Sequence, residues 1–130
     1  MISTETLVMA MTEAVRRAVT ELPPDVERKL LDALEEEVEP LAKQHLQASL
    51  ENARLAKAGE GLVCGDTGFP LFSINVNPNA QLEGGFDALR GAARIATSRA
   101  TAESLLRPTM VDPLTRRNPG DNLGPGMPKV

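Results

Sequence analysis

Residues 62–70 read Leu-Val-Cys-Gly-Asp-Thr-Gly-Phe-Pro, and they mark the change from a helical first half of the chain to a more extended second half. Cys64 is the only cysteine in the sequence. A thiol, a carboxylate and a hydroxyl lie here beside glycines, whose backbone can adopt φ > 0 and approach a ligand closely. The alternative interpretation of the same residues is an ordinary turn beside a small buried cysteine.

Upstream of this stretch, the spacing of apolar residues predicts three helices, at about residues 4–22, 24–38 and 40–58. Apolar side chains recur every three or four positions, so each helix has one apolar stripe. Pro23-Pro24 is predicted to end the first helix and to start the second, because the residue before a proline is disfavoured in the α region. Gly59 follows the third helix and is a typical C′ residue.

Downstream, residues 70–77 place apolar side chains at every second position, with Phe72, Ile74 and Val76 alternating against Leu71, Ser73, Asn75 and Asn77. This period of two predicts a β-strand with one apolar face. A fourth helix is predicted at about residues 86–103, with an inward face formed by Phe86, Leu89, Ala92, Ala93 and Ala96. Its arginines are most simply surface charge.

Five prolines divide residues 108–130, which excludes a regular helix or a central strand there. Apolar residues scattered through the segment favour an ordered, irregular structure. The expected fold class is therefore α+β and mostly helical: N-terminal helices, one clear strand, a further helix and the irregular segment. We expect a single domain over residues 1–130, with a helical region at 1–61 and a motif-bearing region at 62–130.

Composition excludes several classes of protein. The net charge of −4 argues against nucleic-acid binding. No run of about 20 apolar residues is present, which argues against a membrane span, and the N-terminus lacks the features of a signal peptide. A lone cysteine cannot form an internal disulfide, so a reducing compartment such as the cytoplasm is expected. Nor can it hold a metal cluster by itself.

Asp66-Thr67-Gly68 is also the tripeptide that aspartic proteases place after a hydrophobic strand. In those enzymes two such loops meet, and their carboxylates share a proton. Aspartic proteases are almost wholly β, whereas more than half of this chain is predicted to be helical. The sequence also has no glycine-rich hairpin that could serve as a flap, so the motif lacks its structural context.

Three segments together resemble a known family, the iron–sulfur hydro-lyases of the class I fumarase and L(+)-tartrate dehydratase α-subunit type. The segments are residues 48–56, residues 62–70 and residues 106–122, the last continuing into Gly-Pro-Gly-Met-Pro at 124–128. The resemblance begins at about Gln47. It implies reversible addition or removal of water at a small dicarboxylate such as fumarate, malate or tartrate.

In that family three cysteines hold a [4Fe–4S] cluster whose fourth iron binds the substrate as a Lewis acid. Cys64 matches one of these ligands. Asp66 matches an acidic residue at the substrate, a candidate catalytic acid or base. The resemblance implies substrate binding by Arg107, Gly65, Thr67 and Asn118. The end of the third segment in that family is matched by Asn118, Asp121 and Asn122. These residues are expected to form the loop and can also contribute to the site.

The sequence departs from the family pattern at two points. Gly65 stands where many members have glutamine, and the other two cluster cysteines would come after Val130. We therefore expect the N-terminal part of an α-type catalytic domain, inactive alone and without a cluster of its own. Its expected partners are the remaining α-type sequence, a β-type subunit or domain, and further copies of itself. The alternative is a non-catalytic helical module for self-association or subunit packing.

Overall fold

The computed structural model describes residues 1–64 and 69–130, and within these residues the regular elements are four helices. They are α1 (Thr4–Thr20), α2 (Pro24–Glu36), α3 (Pro40–Lys57) and α4 (Asp87–Ala102). All four predicted helices are confirmed. The chain forms two compact units, one comprising Met1–Arg16 with Gly65–Val130 and the other comprising Arg17–Cys64.

The first unit has a small core built on the alanine-rich face of α4. Ala92, Ala93 and Ala96 are completely buried and form one cluster with Val8, Met11 and Leu89. Because the alanine side chain is only a methyl group, neighbouring segments can pack close to the backbone of α4 along this face. The inward face of α4 is confirmed for every predicted residue except Phe86. Phe86 is 71% exposed because it lies at the N-cap, before the first helical turn.

The predicted strand at residues 70–77 is wrong, and with it the α+β class. Phe72, Ile74 and Val76 do pack against the core, while Leu71, just before them, is exposed. In the described residues, however, the segment makes only an isolated bridge from Leu71 to Lys129, and no ladder of strand pairs forms. The alternating pattern shows which side chains are buried. An extended segment that packs on a helical core has the same pattern without a partner strand.

The second unit contains α2 and α3, which pack on each other as consecutive helices. Pro40 is at the start of α3, where the Glu39 carboxylate accepts a hydrogen bond of 2.7 Å from the Ala42 N–H. The predicted glycine end of this helix is confirmed. Gly59 has φ +82°, and its N–H donates to Ala56 O while the next residue donates to Leu55 O. These two bonds define a Schellman motif.

The predicted irregular segment at residues 108–130 is confirmed, since it contains no helix and no strand. The segment is held to α4 by Arg94, whose guanidinium donates to Met127 O at 2.7 Å and Gly124 O at 3.2 Å. This contact shows that Arg94 is more than surface charge. None of the helices in the described part of the chain has both the length and the apolar character needed to cross a bilayer.

Candidate functional site

The predicted site residues Gly65, Asp66 and Thr67 lie outside the residues that the structure describes. Cys64 precedes them and is the last residue of the second unit; its thiol is free and exposed. The backbone just before it is fixed within that unit. Val63 N–H donates to Val19 O at 2.8 Å, and the Asn52 side-chain amide donates to Val63 O at 2.8 Å. Cys64 therefore leaves an anchored backbone and presents its sulfur to solvent.

The described residues hold no complete set of donors for a metal ion. No group of three His, Cys, Asp or Glu side chains suited to a metal ion occurs within residues 1–64 and 69–130. Cys64 is the only thiol of the sequence. A cluster that requires three thiolates therefore does not fit this chain alone.

Arg107 is exposed and lies shortly after the C-terminal end of α4. The helix ends in a second Schellman motif, in which Ser104 takes the left-handed position at φ +61°. Its N–H donates to Thr101 O at 3.0 Å, and the Leu105 N–H donates to Ala100 O at 2.9 Å. Leu105 is buried, so the chain is anchored two residues before the arginine.

A buried asparagine also contacts the Arg107 segment. Asn122 is 2% exposed and has φ +57°. Its side-chain oxygen accepts from the N–H groups of Thr109 at 2.7 Å and Met110 at 3.3 Å. Its side-chain nitrogen donates to Arg107 O at 2.6 Å and to Thr101 Oγ1 at 3.1 Å. One side chain thus links α4 to both ends of the short stretch from Arg107 to Met110.

Asn118 lies on the same segment and is tied to it by both ends of its amide. Its nitrogen donates to Pro108 O at 2.7 Å, and its oxygen accepts from the Gly120 N–H at 2.8 Å. Asp121 is used similarly, since its carboxylate accepts from the Leu123 N–H at 3.0 Å. The predicted loop-forming role of Asn118, Asp121 and Asn122 therefore has a structural basis. Substrate binding by Asn118 remains a prediction.

Residues 112–117 form a tight turn at the outer end of this segment. The Asp112 carboxylate accepts from the Thr115 N–H at 2.7 Å, the Thr115 hydroxyl at 2.9 Å and the Leu114 N–H at 3.0 Å. These bonds hold the pKa of Asp112 below its ordinary value because they favour the ionised form, and the bond from the Thr115 N–H has the largest effect. The turn places Arg116 at φ +61°. Asp112 is not among the predicted site residues; an aspartate directly before a proline, which favours the start of a turn, is the signal in the sequence that could have found it.

The first unit is thus a helical scaffold that presents an exposed arginine on an internally hydrogen-bonded loop, a feature suited to binding an anion. The family model described as fumarate hydratase (Fumerase) matches residues 8–130. The chain therefore belongs to the fumarate hydratase (Fumerase) family, which confirms the family predicted from residues 62–70 and 106–122.

Two relatives support this assignment. A protein of Geobacillus stearothermophilus bearing the name of a class I fumarate hydratase is 35% identical over 128 residues, which are 97% of this chain and 24% of that protein. A protein of Methanocaldococcus jannaschii bearing the name of an L(+)-tartrate dehydratase subunit alpha is 31% identical over 120 residues, or 92% of this chain and 42% of its own length. The chain thus spans less than half of either relative.

Proposed function

We propose that this chain forms the N-terminal part of an α-type hydro-lyase domain that adds water to, or removes it from, a small dicarboxylate such as fumarate, malate or tartrate. The match of the family model over residues 8–130 carries the proposal. Both named relatives act, by their names, on acids of this type. Because the chain spans only part of either relative, the proposed active form includes further α-type sequence and a β-type subunit or domain. The proposed compartment is the reducing cytoplasm, as the single free thiol favours.

Arg107 is the residue proposed to bind a substrate carboxylate. Its exposure leaves the side chain accessible, and the hydrogen bonds around its backbone reduce the entropy lost on binding. A guanidinium pairs with a carboxylate through two parallel hydrogen bonds. Gly65, Thr67 and Asn118 are proposed to contribute further substrate contacts.

Asp66 is proposed to act as the acid or base. In the dehydration direction its carboxylate takes the proton from the carbon next to a substrate carboxylate. The electron pair of that C–H bond forms the new double bond, and the hydroxyl on the neighbouring carbon leaves as water after protonation. Negative charge builds up on the substrate carboxylate during proton removal, and a cation placed there stabilises it.

Cys64 is proposed as one thiolate ligand of a [4Fe–4S] cluster in the complete enzyme. The chain supplies a single cysteine, so the other ligands must come from additional sequence. We therefore assign the residues of this chain no step at the cluster. Homo-oligomer formation is part of the same proposal.

The proposal is tested by steady-state hydration of fumarate in the complete enzyme, prepared anaerobically with iron and sulfide. Arg107→Ala should raise KM by about tenfold or more, the scale of a lost charge-assisted hydrogen bond. Asp66→Asn should abolish turnover while the visible absorbance of the cluster stays intact. Arg28→Ala, which removes an exposed arginine from α2, serves as the charge-matched control and should behave as wild type. Unchanged kinetics for Arg107→Ala would exclude its substrate role, and retained turnover in Asp66→Asn would exclude the base role.

The second candidate function is a non-catalytic packing module. It is favoured by apolar side chains exposed on the second unit, among them Leu31, Val38 and Leu41, of which Val38 is 88% exposed. This alternative predicts that the 130-residue chain self-associates and that a Leu31→Ser, Val38→Ser double variant is monomeric. Sedimentation equilibrium of the two proteins decides it, since a monomeric wild-type chain excludes self-association.

A further inference from the structure

We infer that Asn122 is a positioning residue for Arg107: it sets the backbone from which the arginine reaches a substrate carboxylate. The inference rests on the proposed function, because it concerns the residue proposed to bind that carboxylate. It assigns to Asn122 a task that neither the family match nor the relatives' names specify. The geometry that carries it is a single buried amide bonded to both ends of the stretch 107–110.

The hydrogen bonds of Asn122 restrain the arginine from two sides. The side-chain nitrogen holds Arg107 O at 2.6 Å, and the side-chain oxygen holds the Thr109 N–H at 2.7 Å. Pro108 stands between these two anchored peptide groups and fixes its own φ. The backbone that carries the arginine side chain is therefore restrained on both sides of Pro108, while the guanidinium stays exposed.

Asparagine suits this position in both its backbone and its side chain. At φ +57° the residue is left-handed, a conformation that asparagine and glycine adopt more readily than most residues. The amide oxygen accepts from two N–H groups while the amide nitrogen donates to a carbonyl and to a hydroxyl, and an amide has two acceptor sites and two donors for these four bonds. Aspartate keeps the acceptors but, when ionised, loses the donor that holds Arg107 O. Glycine keeps the backbone conformation and loses every side-chain bond.

The link to α4 explains how the scaffold determines where the arginine lies. Asn122 donates its second amide hydrogen to Thr101 Oγ1 at 3.1 Å, on the last turn of the helix. Thr101 itself is buried, and its hydroxyl donates to Thr97 O at 2.8 Å. Through Asn122, residues 107–110 are thus hydrogen-bonded to α4, the most buried helix of the first unit.

A double-mutant cycle in the complete enzyme tests the inference. Asn122→Gly should raise KM by about tenfold with a smaller change in kcat, because a charge-assisted contact to the substrate is misaligned. In an Arg107→Ala background the same change should alter KM less than about twofold, since the residue through which Asn122 acts is gone. Asn77→Gly, which removes an asparagine from an exposed turn, is the matched control and should leave KM unchanged. Equal effects of Asn122→Gly in both backgrounds would overturn the inference while leaving the role of Arg107 intact.

Amide hydrogen exchange of the 130-residue chain supplies a readout that does not need activity. In Asn122→Asp the Thr109 amide should remain protected, whereas in Asn122→Gly it should exchange about tenfold faster or more. Unchanged exchange in Asn122→Gly overturns the anchoring itself. If the Thr109 amide behaves as expected but Arg107→Ala leaves KM unchanged, the proposed role of Arg107 fails, and the positioning role fails with it.

Discussion

Replacing Thr101 by valine should lower the free energy of unfolding of the first unit more than the same change at Thr97, one turn earlier on α4. Both threonines are buried, and each hydroxyl donates at 2.8 Å to the carbonyl four residues before it. Valine has the same shape, so each variant loses this local bond without leaving a cavity. Only Thr101 also accepts a bond from Asn122, at 3.1 Å. The difference between the two variants therefore isolates that contact.

The size of this difference follows from burial. Asn122 is 2% exposed, so in Thr101→Val one of its amide hydrogens has neither a protein partner nor bulk water. A buried donor left unpaired costs about 1–3 kcal/mol. With a urea slope of about 1–3 kcal/mol per molar, the unfolding midpoint of Thr101→Val should lie roughly 1 M below that of Thr97→Val. Urea titration followed by far-UV circular dichroism measures both midpoints. Coincident midpoints would show that Asn122 is not held to α4 as described.

Three further outcomes are expected. Gly59→Ala should lower the free energy of unfolding of the second unit by about 1 kcal/mol because the residue has φ +82°, whereas Gly61→Ala should be near neutral; urea denaturation compares them. Acidification should release the Asp112 turn: its pKa is depressed in the folded state, so its contribution is present above the unfolded value of about 3.9 and is lost as the pH falls through the folded value. NMR titration of the Leu114 amide should show this transition in wild type and none in Asp112→Asn, and a pH-independent wild-type signal would contradict it. Val8→Ala should cost about 2 kcal/mol by leaving a cavity in the core, and a calorimetric midpoint equal to wild type would refute that packing.

The helices could be predicted because their signals are local. Pro40, Gly59 and the periodic apolar residues act within a few positions along the chain, and each marks a boundary or a face by itself. The prediction of a strand was wrong because a strand does not depend on local signals alone. Alternation at residues 70–77 specifies a buried face, but a strand also requires backbone partners elsewhere in the chain. In the described residues those partners reduce to one isolated bridge, at Leu71.

The candidate site shows the same division between local and distant signals. Arg107 and Asn122 could be selected from a motif, yet no sequence pattern shows that their contact runs from a buried amide to a backbone carbonyl. That contact depends on features far apart in the sequence: the C-terminal end of α4, where Ser104 is left-handed, and the left-handed residue Asn122, whose amide also donates to Thr101. A substitution at Asn122 can therefore disturb the arginine while every motif residue named for chemistry is unchanged. Variants of this chain should accordingly be judged by the hydrogen bonds that hold the loop as well as by the side chains proposed to bind the substrate.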